Sequence, residues 1–141
     1  MARFTRIEPS LLEGALGIVR TLRKHRFEAL FAGGAVRDML LDQDTSDIDV
    51  ATSARPEDLE SIFEHTVPVG KQFGVMIVVL GGHSYEVATF RRDTAYSDGR
   101  HPVGVEFTDA EEDARRRDFT VNGLFYDPIA GEVIDYVGGR A

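Results

Sequence analysis

Apolar residues recur at helical spacing through Leu12, Ala15, Leu16, Val19 and Leu22, one stripe of a helix that the pattern predicts from Ser10 to about Arg26. Ser10-Leu11-Leu12-Glu13 reads as a capping box at its start. The period then shortens. Glu28 to Ala32 is predicted as a short strand that ends on a glycine pair, Ala35 to Leu41 as a helix and Asp47 to Ala51 as a strand. Thr52 to Glu57 reads as another helix start, with Pro56 near the first helical position, and that helix runs to about Glu64. Phe73 to Leu80 carries a continuous apolar run, which predicts a strand buried on both faces. Gly81-Gly82-His83-Ser84 is a turn signal, so Tyr85 to Arg91 returns as the second strand of a hairpin. The polar stretch Arg92 to Pro102 reads as a loop. After it come a strand at Val103 to Phe107, a short helix at Ala110 to Arg116, and a strand or helix at Phe119 to Tyr126. A turn at Asp127 to Gly131 and an extended piece at Val133 to Tyr136 complete the pattern. This mixture predicts an α+β domain on one small mixed β-sheet with flanking helices.

Composition narrows the class. A chain of 141 residues, 43% hydrophobic and 28% charged, is long enough for one folded domain with a core of its own. Cysteine is absent, which excludes disulfides and thiolate metal sites and makes a reducing cytoplasm the default compartment. Met1 to Arg6 has no apolar segment of the signal-peptide kind, and the run Val75 to Leu80 is too short to span a membrane. A net charge of −8 argues against a free-standing nucleic-acid binder, because phosphate backbones are held by clustered Lys and Arg. His25, His65, His83 and His101 show no metal-ligand spacing.

The candidate chemistry sits where the pattern breaks. Gly33-Gly34-Ala35-Val36-Arg37-Asp38 places a glycine turn after an apolar strand, with an arginine following. Asp47-Ile48-Asp49 places two carboxylates one residue apart, and strand periodicity points both to the same face. Carboxylates held side by side repel each other unless a cation neutralises them. A divalent metal beside a phosphate-binding turn points to phosphoryl or nucleotidyl transfer. Glu86 lies amid apolar strand residues and reads either as an outward-facing side chain or as a third carboxylate of that site. Arg115-Arg116-Arg117 reads either as a solvated helix end or as a neutraliser of a triphosphate. Asp118 and Asn122 suit a ribose or the ordering of that junction.

Three look-alikes fall away. Asp42, Asp44 and Ser46 mimic the opening of an EF-hand loop, but Asp47 stands where its glycine is required and Ser53 where its bidentate Glu is required. Gly33-Gly34 lacks the third glycine of a dinucleotide fingerprint. Glu112-Asp113-Ala114-Arg115-Arg116 runs from acidic to basic just before the Arg-Arg-Asp cluster, and its likeness to a functional charged motif is read as a coincidence of letters.

Taken together, the motifs resemble those of class II tRNA nucleotidyltransferases, the family of CCA-adding enzymes and bacterial poly(A) polymerases. The resemblance is carried by Gly33 to Asp38 and Asp47 to Thr52. It continues through Glu86 to Arg91, Asp98 to Pro102, Arg116 to Asn122 and Ile134 to Gly139. It implies a polymerase-β-type nucleotidyltransferase head over residues 1–141, without the neck, body and tail that follow in the family. Carried over by position, Asp47 and Asp49 would hold two Mg2+ ions and Glu86 would be the third catalytic carboxylate. Gly33 would shape the turn, and Gly34 and Arg37 would contact the triphosphate of CTP or ATP. Arg117 would touch the nucleotide, with Asp118 and Asn122 at the ribose end. The loop Arg92 to Pro102 would help to switch between CTP and ATP. The implied activity is addition of CMP, AMP or both to a tRNA 3′ end, chiefly gripped by the downstream domains. Poly(A), A-adding and CC-adding activities stay open within the family, and a non-catalytic NTP- or metal-binding module is the rival outside it.

Overall fold

The computed structural model describes residues 8–33, 36, 47–93, 105–107, 110, 113 and 124–135. Its first element, α1 (Pro9–Lys24), lays Leu11, Ala15, Leu16, Ile18, Val19 and Leu22 against a β-sheet. The helix starts one residue before the expected site and is capped differently. Pro9 takes the first turn, and the Glu8 carboxylate accepts the Ser10 and Leu11 backbone N–H groups. Glu8 thus does the work expected of Ser10, and Pro9 costs nothing where no intrahelical N–H bond is due.

Strands β1 (Ala29–Ala32), β2 (Asp49–Thr52), β3 (Thr66–Gly70), β4 (Val75–Leu80), β5 (His83–Thr89), β8 (Leu124–Asp127) and β9 (Glu132–Asp135) form one sheet. Their order is β3-β4-β5-β2-β1-β8-β9. The β2–β5 pair is parallel and every other neighbouring pair is antiparallel, so the sheet is mixed. Between β2 and β3 lies α2 (Pro56–Ile62), whose start is held by the Asp58 carboxylate accepting the Arg55 N–H at 3.0 Å. Strands β6 (Arg91–Asp93) and β7 (Val105–Phe107) pair separately. Arg92 and Asp93 therefore belong to a strand and not to the expected loop, whose remaining residues lie outside the described ones.

The two faces of the main sheet differ. One carries Ala29, Phe31, Val50, Met76, Val78, Tyr85, Val87 and Tyr126 into the larger core beneath α1 and Leu59 of α2. The other buries Leu30, Ala32, Ala51 and Phe125 with Phe90 and Ala110 in a smaller cluster. Phe90 and Phe125 meet edge to face there, with ring centroids 5.9 Å apart.

Two expectations about strands change. β4 is not buried on both faces: Met76 and Val78 are buried, whereas Val75, Ile77 and Val79 on the alternate face are half-buried. A β-branched run fits a half-open pleated surface as well as a closed one. β3 was not expected at all, because Pro68 in its centre breaks the strand signal. Proline is tolerated there since β3 is an edge strand, and the register shifts between Pro68 and Gly70. At the hairpin between β4 and β5, Gly81 and Gly82 both adopt positive φ (61° and 80°), as a tight two-residue turn with matching twist requires.

Candidate active site

The site is built where β1 ends beside the start of β2. Ala32 pairs with Asp49, so the chain leaves β1 for the glycine turn directly alongside that carboxylate. Gly33 has φ +69°, a left-handed conformation that side chains resist. The Val36 N–H donates to the Gly33 carbonyl at 3.2 Å, closing the turn. A Cβ built on Gly33 would stand 2.8 Å from Oδ2 of Asp49. Gly33 is thus required twice, once by its backbone and once by the carboxylate it accommodates.

β2 begins at Asp49, two residues later than expected, so Asp47 precedes the strand. The alternation of environment nonetheless extends backwards: Asp47 is exposed, Ile48 buried, Asp49 half-buried and Val50 buried. Ile48 and Val50 anchor the segment in the larger core. That anchoring leaves the two carboxylates on the opposite side of the segment.

Glu86 is exposed on β5. Val50 pairs with Val87 in the parallel register, which puts Asp49 and Glu86 one residue earlier on the same rung and face of adjacent strands. Of its two alternative readings, the outward-facing one is met, and the outward face is the one that bears Asp49. On its other side Glu86 pairs with Ile77 of β4. Sequence reasoning did not single out Ile77. The signal was present, because a two-residue turn at Gly81-Gly82 sets Leu80 opposite His83 and hence Ile77 opposite Glu86.

Of the other expected site residues, Gly34, Arg37, Arg117, Asp118 and Asn122 lie outside the described residues. Among the described residues, no three His, Cys, Asp or Glu side chains gather closely enough to hold a metal ion by themselves. The donor set at Asp47 and Asp49 consists of hard carboxylate oxygens, and the missing Cβ of Gly33 lets bare backbone stand directly against Oδ2 of Asp49. That combination suits Mg2+, which binds through one or two carboxylates and completes its shell with water and substrate phosphate oxygens. Among the described residues, no helix is long and apolar enough to cross a membrane.

Residues 29–141 match the family described as the poly A polymerase head domain. A CCA-adding enzyme of Bacillus pumilus is 51% identical over 127 residues, which make up 89% of this chain and 32% of that protein. The crystal structure of the Bacillus stearothermophilus CCA-adding enzyme in complex with CTP superposes with a TM-score of 0.82 at 44% identity. That match covers 94% of this chain and 31% of the other. A tRNA nucleotidyltransferase complexed with a primer tRNA and an incoming ATP analogue gives a TM-score of 0.65 at 28% identity, covering 87% and 35%. The chain therefore spans about a third of the length of the relatives it matches.

Proposed function

Since the chain belongs to the poly A polymerase head-domain family, we propose that it is the catalytic head of a tRNA nucleotidyltransferase that transfers CMP and AMP from CTP and ATP to the 3′ end of tRNA. The observation that carries this reading is the glycine turn pressed against Asp49, with Glu86 on the same rung of the next strand. The relatives that match over most of this chain are CCA-adding enzymes.

In this reading Asp47 and Asp49 hold two Mg2+ ions. Bound there, the ions supply Lewis-acid activation of the acceptor 3′-hydroxyl and charge neutralisation of the leaving pyrophosphate. The chain's own residues do the rest. The 3′-oxygen forms a bond to the α-phosphorus, and the bond from that phosphorus to the bridging oxygen breaks. Glu86, exposed on the rung of Asp49, would take up the proton that the acceptor hydroxyl gives up as its oxygen attacks. The Gly33 turn lets the backbone approach the triphosphate without a side chain in the way. Gly34 and Arg37 are assigned to the triphosphate, Arg117 to the nucleotide, and Asp118 and Asn122 to the ribose end. The tRNA is gripped mainly by downstream domains, which accords with the acidic balance of this chain. A cytoplasmic setting suits a chain without cysteine.

The test is incubation with Mg2+, labelled CTP or ATP, and tRNAs ending before, within or one short of CCA, with and without the downstream polypeptide. Addition that restores CCA is the expected result. Addition of A alone in long runs would assign a poly(A) polymerase instead. Metal-dependent NTP binding without addition in any combination would make the chain a non-catalytic binding module.

A further inference from the structure

Among the described residues, the face of the sheet that bears Asp49 and Glu86 is covered on one side only. Towards β1 and β8 it is closed by the smaller cluster, in which Leu30, Ala32, Ala51 and Phe125 are buried. From Glu86 outward, no element among the described residues covers it. Ile77 stands opposite Glu86, and Val67 of β3 stands opposite Ile77. Ile77, Val75 and Val79 are half-buried, and Val67 is 48% exposed. One row across the sheet thus runs from buried Ala32 through the carboxylates of Asp49 and Glu86 to an open aliphatic ledge. The rim of this ledge is not made for a further strand. Pro68 has no N–H to give, and the irregularity between Pro68 and Gly70 breaks the ladder.

We propose that the ledge formed by Val67, Ile77 and Val79 seats the ribose and base of the 3′-terminal nucleotide of the acceptor RNA. The inference rests on the nucleotidyltransferase reading and goes beyond it by assigning the acceptor a surface. Transfer requires two substrates at Asp49 at once, with the attacking oxygen in line with the bond that breaks. The Gly33 turn lies on the β1 side of Asp49, which puts the triphosphate there. The acceptor then approaches from the side where Glu86 and the ledge lie. Charge selects which part of the acceptor the ledge takes. Glu86, which stands between Asp49 and the ledge, repels phosphates, whereas Val67, Ile77 and Val79 carry no charge and present aliphatic area. The ribose ring and the flat base face are the uncharged parts of a nucleotide, and burying their apolar surface against aliphatic side chains does not depend on which base is present. An acceptor whose last base changes as addition proceeds needs a seat of that kind.

The test uses Ile77→Thr and Val67→Ser, in whichever preparation of the wild type shows addition, with downstream polypeptide if that is required. Three quantities are read: KM for a tRNA ending one short of CCA, Kd for ATP without RNA, and Tm. The expected result for Ile77→Thr is an acceptor KM raised roughly tenfold with ATP affinity unchanged. Val67→Ser, at an exposed position that does not threaten folding, moves in the same direction by less, at wild-type Tm. An active wild type with indifferent variants overturns the acceptor seat alone. Acceptor and nucleotide parameters worsening together, with a lowered Tm, also overturn it and assign the ledge to packing by downstream polypeptide. A wild type without addition in any preparation overturns the parent reading, and the seat with it.

Discussion

Gly33 and Asp49 are packed so closely that no side chain fits between them: a Cβ on Gly33 would stand 2.8 Å from Oδ2 of Asp49. Backbone and carboxylate are therefore one device. The turn that ends β1 is shaped by the same residue that leaves room over the acid of β2. A ligand drawn to the carboxylate meets bare backbone beside it.

Gly33→Ala is expected to cut nucleotide addition by roughly a hundredfold, since small displacements of a reacting geometry cost that much. The left-handed backbone and the crowded carboxylate add strain of about 1–2 kcal/mol, which the domain survives with a modest fall in Tm. Addition assays paired with far-UV circular dichroism melts check this. Near-wild-type turnover would remove the turn from the site.

Asp47→Ala and Asp49→Ala each take away an oxygen donor that nothing else replaces. Addition should be lost at any Mg2+ concentration, with the far-UV spectrum unchanged, because Asp47 is exposed and Asp49 half-buried. Chelation of Mg2+ should silence the wild type in the same way and be reversed by adding the ion back. Normal turnover by either mutant would sink the metal assignment.

What could be read from the sequence was local chemistry with a short period. The α1 stripe, the turn at Gly33 after β1, the Asp47–Asp49 spacing and the Gly81-Gly82 hairpin are each set by neighbours in the chain, and each reappears in the structure. What escaped depended on partners far away. The Pro68 strand is stable only because β4 pairs with one of its edges. The Glu8 cap replaces the Ser10 cap: Ser10 donates its hydroxyl to the Glu8 carboxylate, and Nε2 of His83, 73 residues along, lies 2.8 Å from the same Ser10 oxygen. The half-open face of β4 follows from where the smaller core stops, which no run of valines announces. The carboxylates of Asp49 and Glu86 were each visible in the sequence, but their shared rung comes from a parallel pairing between strands joined through α2, β3 and β4.

Tyr85 tests the packing of the opposite face. Its hydroxyl donates to the Leu11 carbonyl at 2.7 Å in the larger core, and it lies where a side chain on Gly14 would project. Tyr85→Phe should cost about 1–2 kcal/mol, the penalty of a lost buried hydrogen bond, and leave addition unchanged. Gly14→Ala should be more damaging alone than when combined with Tyr85→Phe, because the deleted hydroxyl relieves part of the collision. Urea melts of the four-member cycle measure the coupling. Strict additivity would show that helix and ring already stand apart in solution.

Asp127 ties the far end of α1 to the β8–β9 turn, and its charge state gives a pH signature. Burial on its own raises this carboxyl's pKa. The Ala130 N–H, the Arg23 guanidinium and the Ile129 N–H together outweigh that effect and hold it below the ordinary value. Both N–H groups donate to Oδ1 at 3.0 Å, and Arg23 reaches the same oxygen at 2.9 Å. Arg23 also donates to the Ala29 carbonyl at 2.8 Å, so one side chain joins helix, first strand and turn. A carboxyl depressed on folding adds stability that is present above its unfolded pKa and is lost as pH falls through its folded one. Asp127→Asn should therefore be less stable than wild type at neutral pH. The gap between the two should close below about pH 4, as the wild-type carboxylate takes up its proton. Addition should be unaffected, since Asp127 touches none of the site residues described. Tm measured at closely spaced pH values for both proteins reads this out. Curves that stay parallel through the acid range would mean that the Arg23 contact adds nothing to stability.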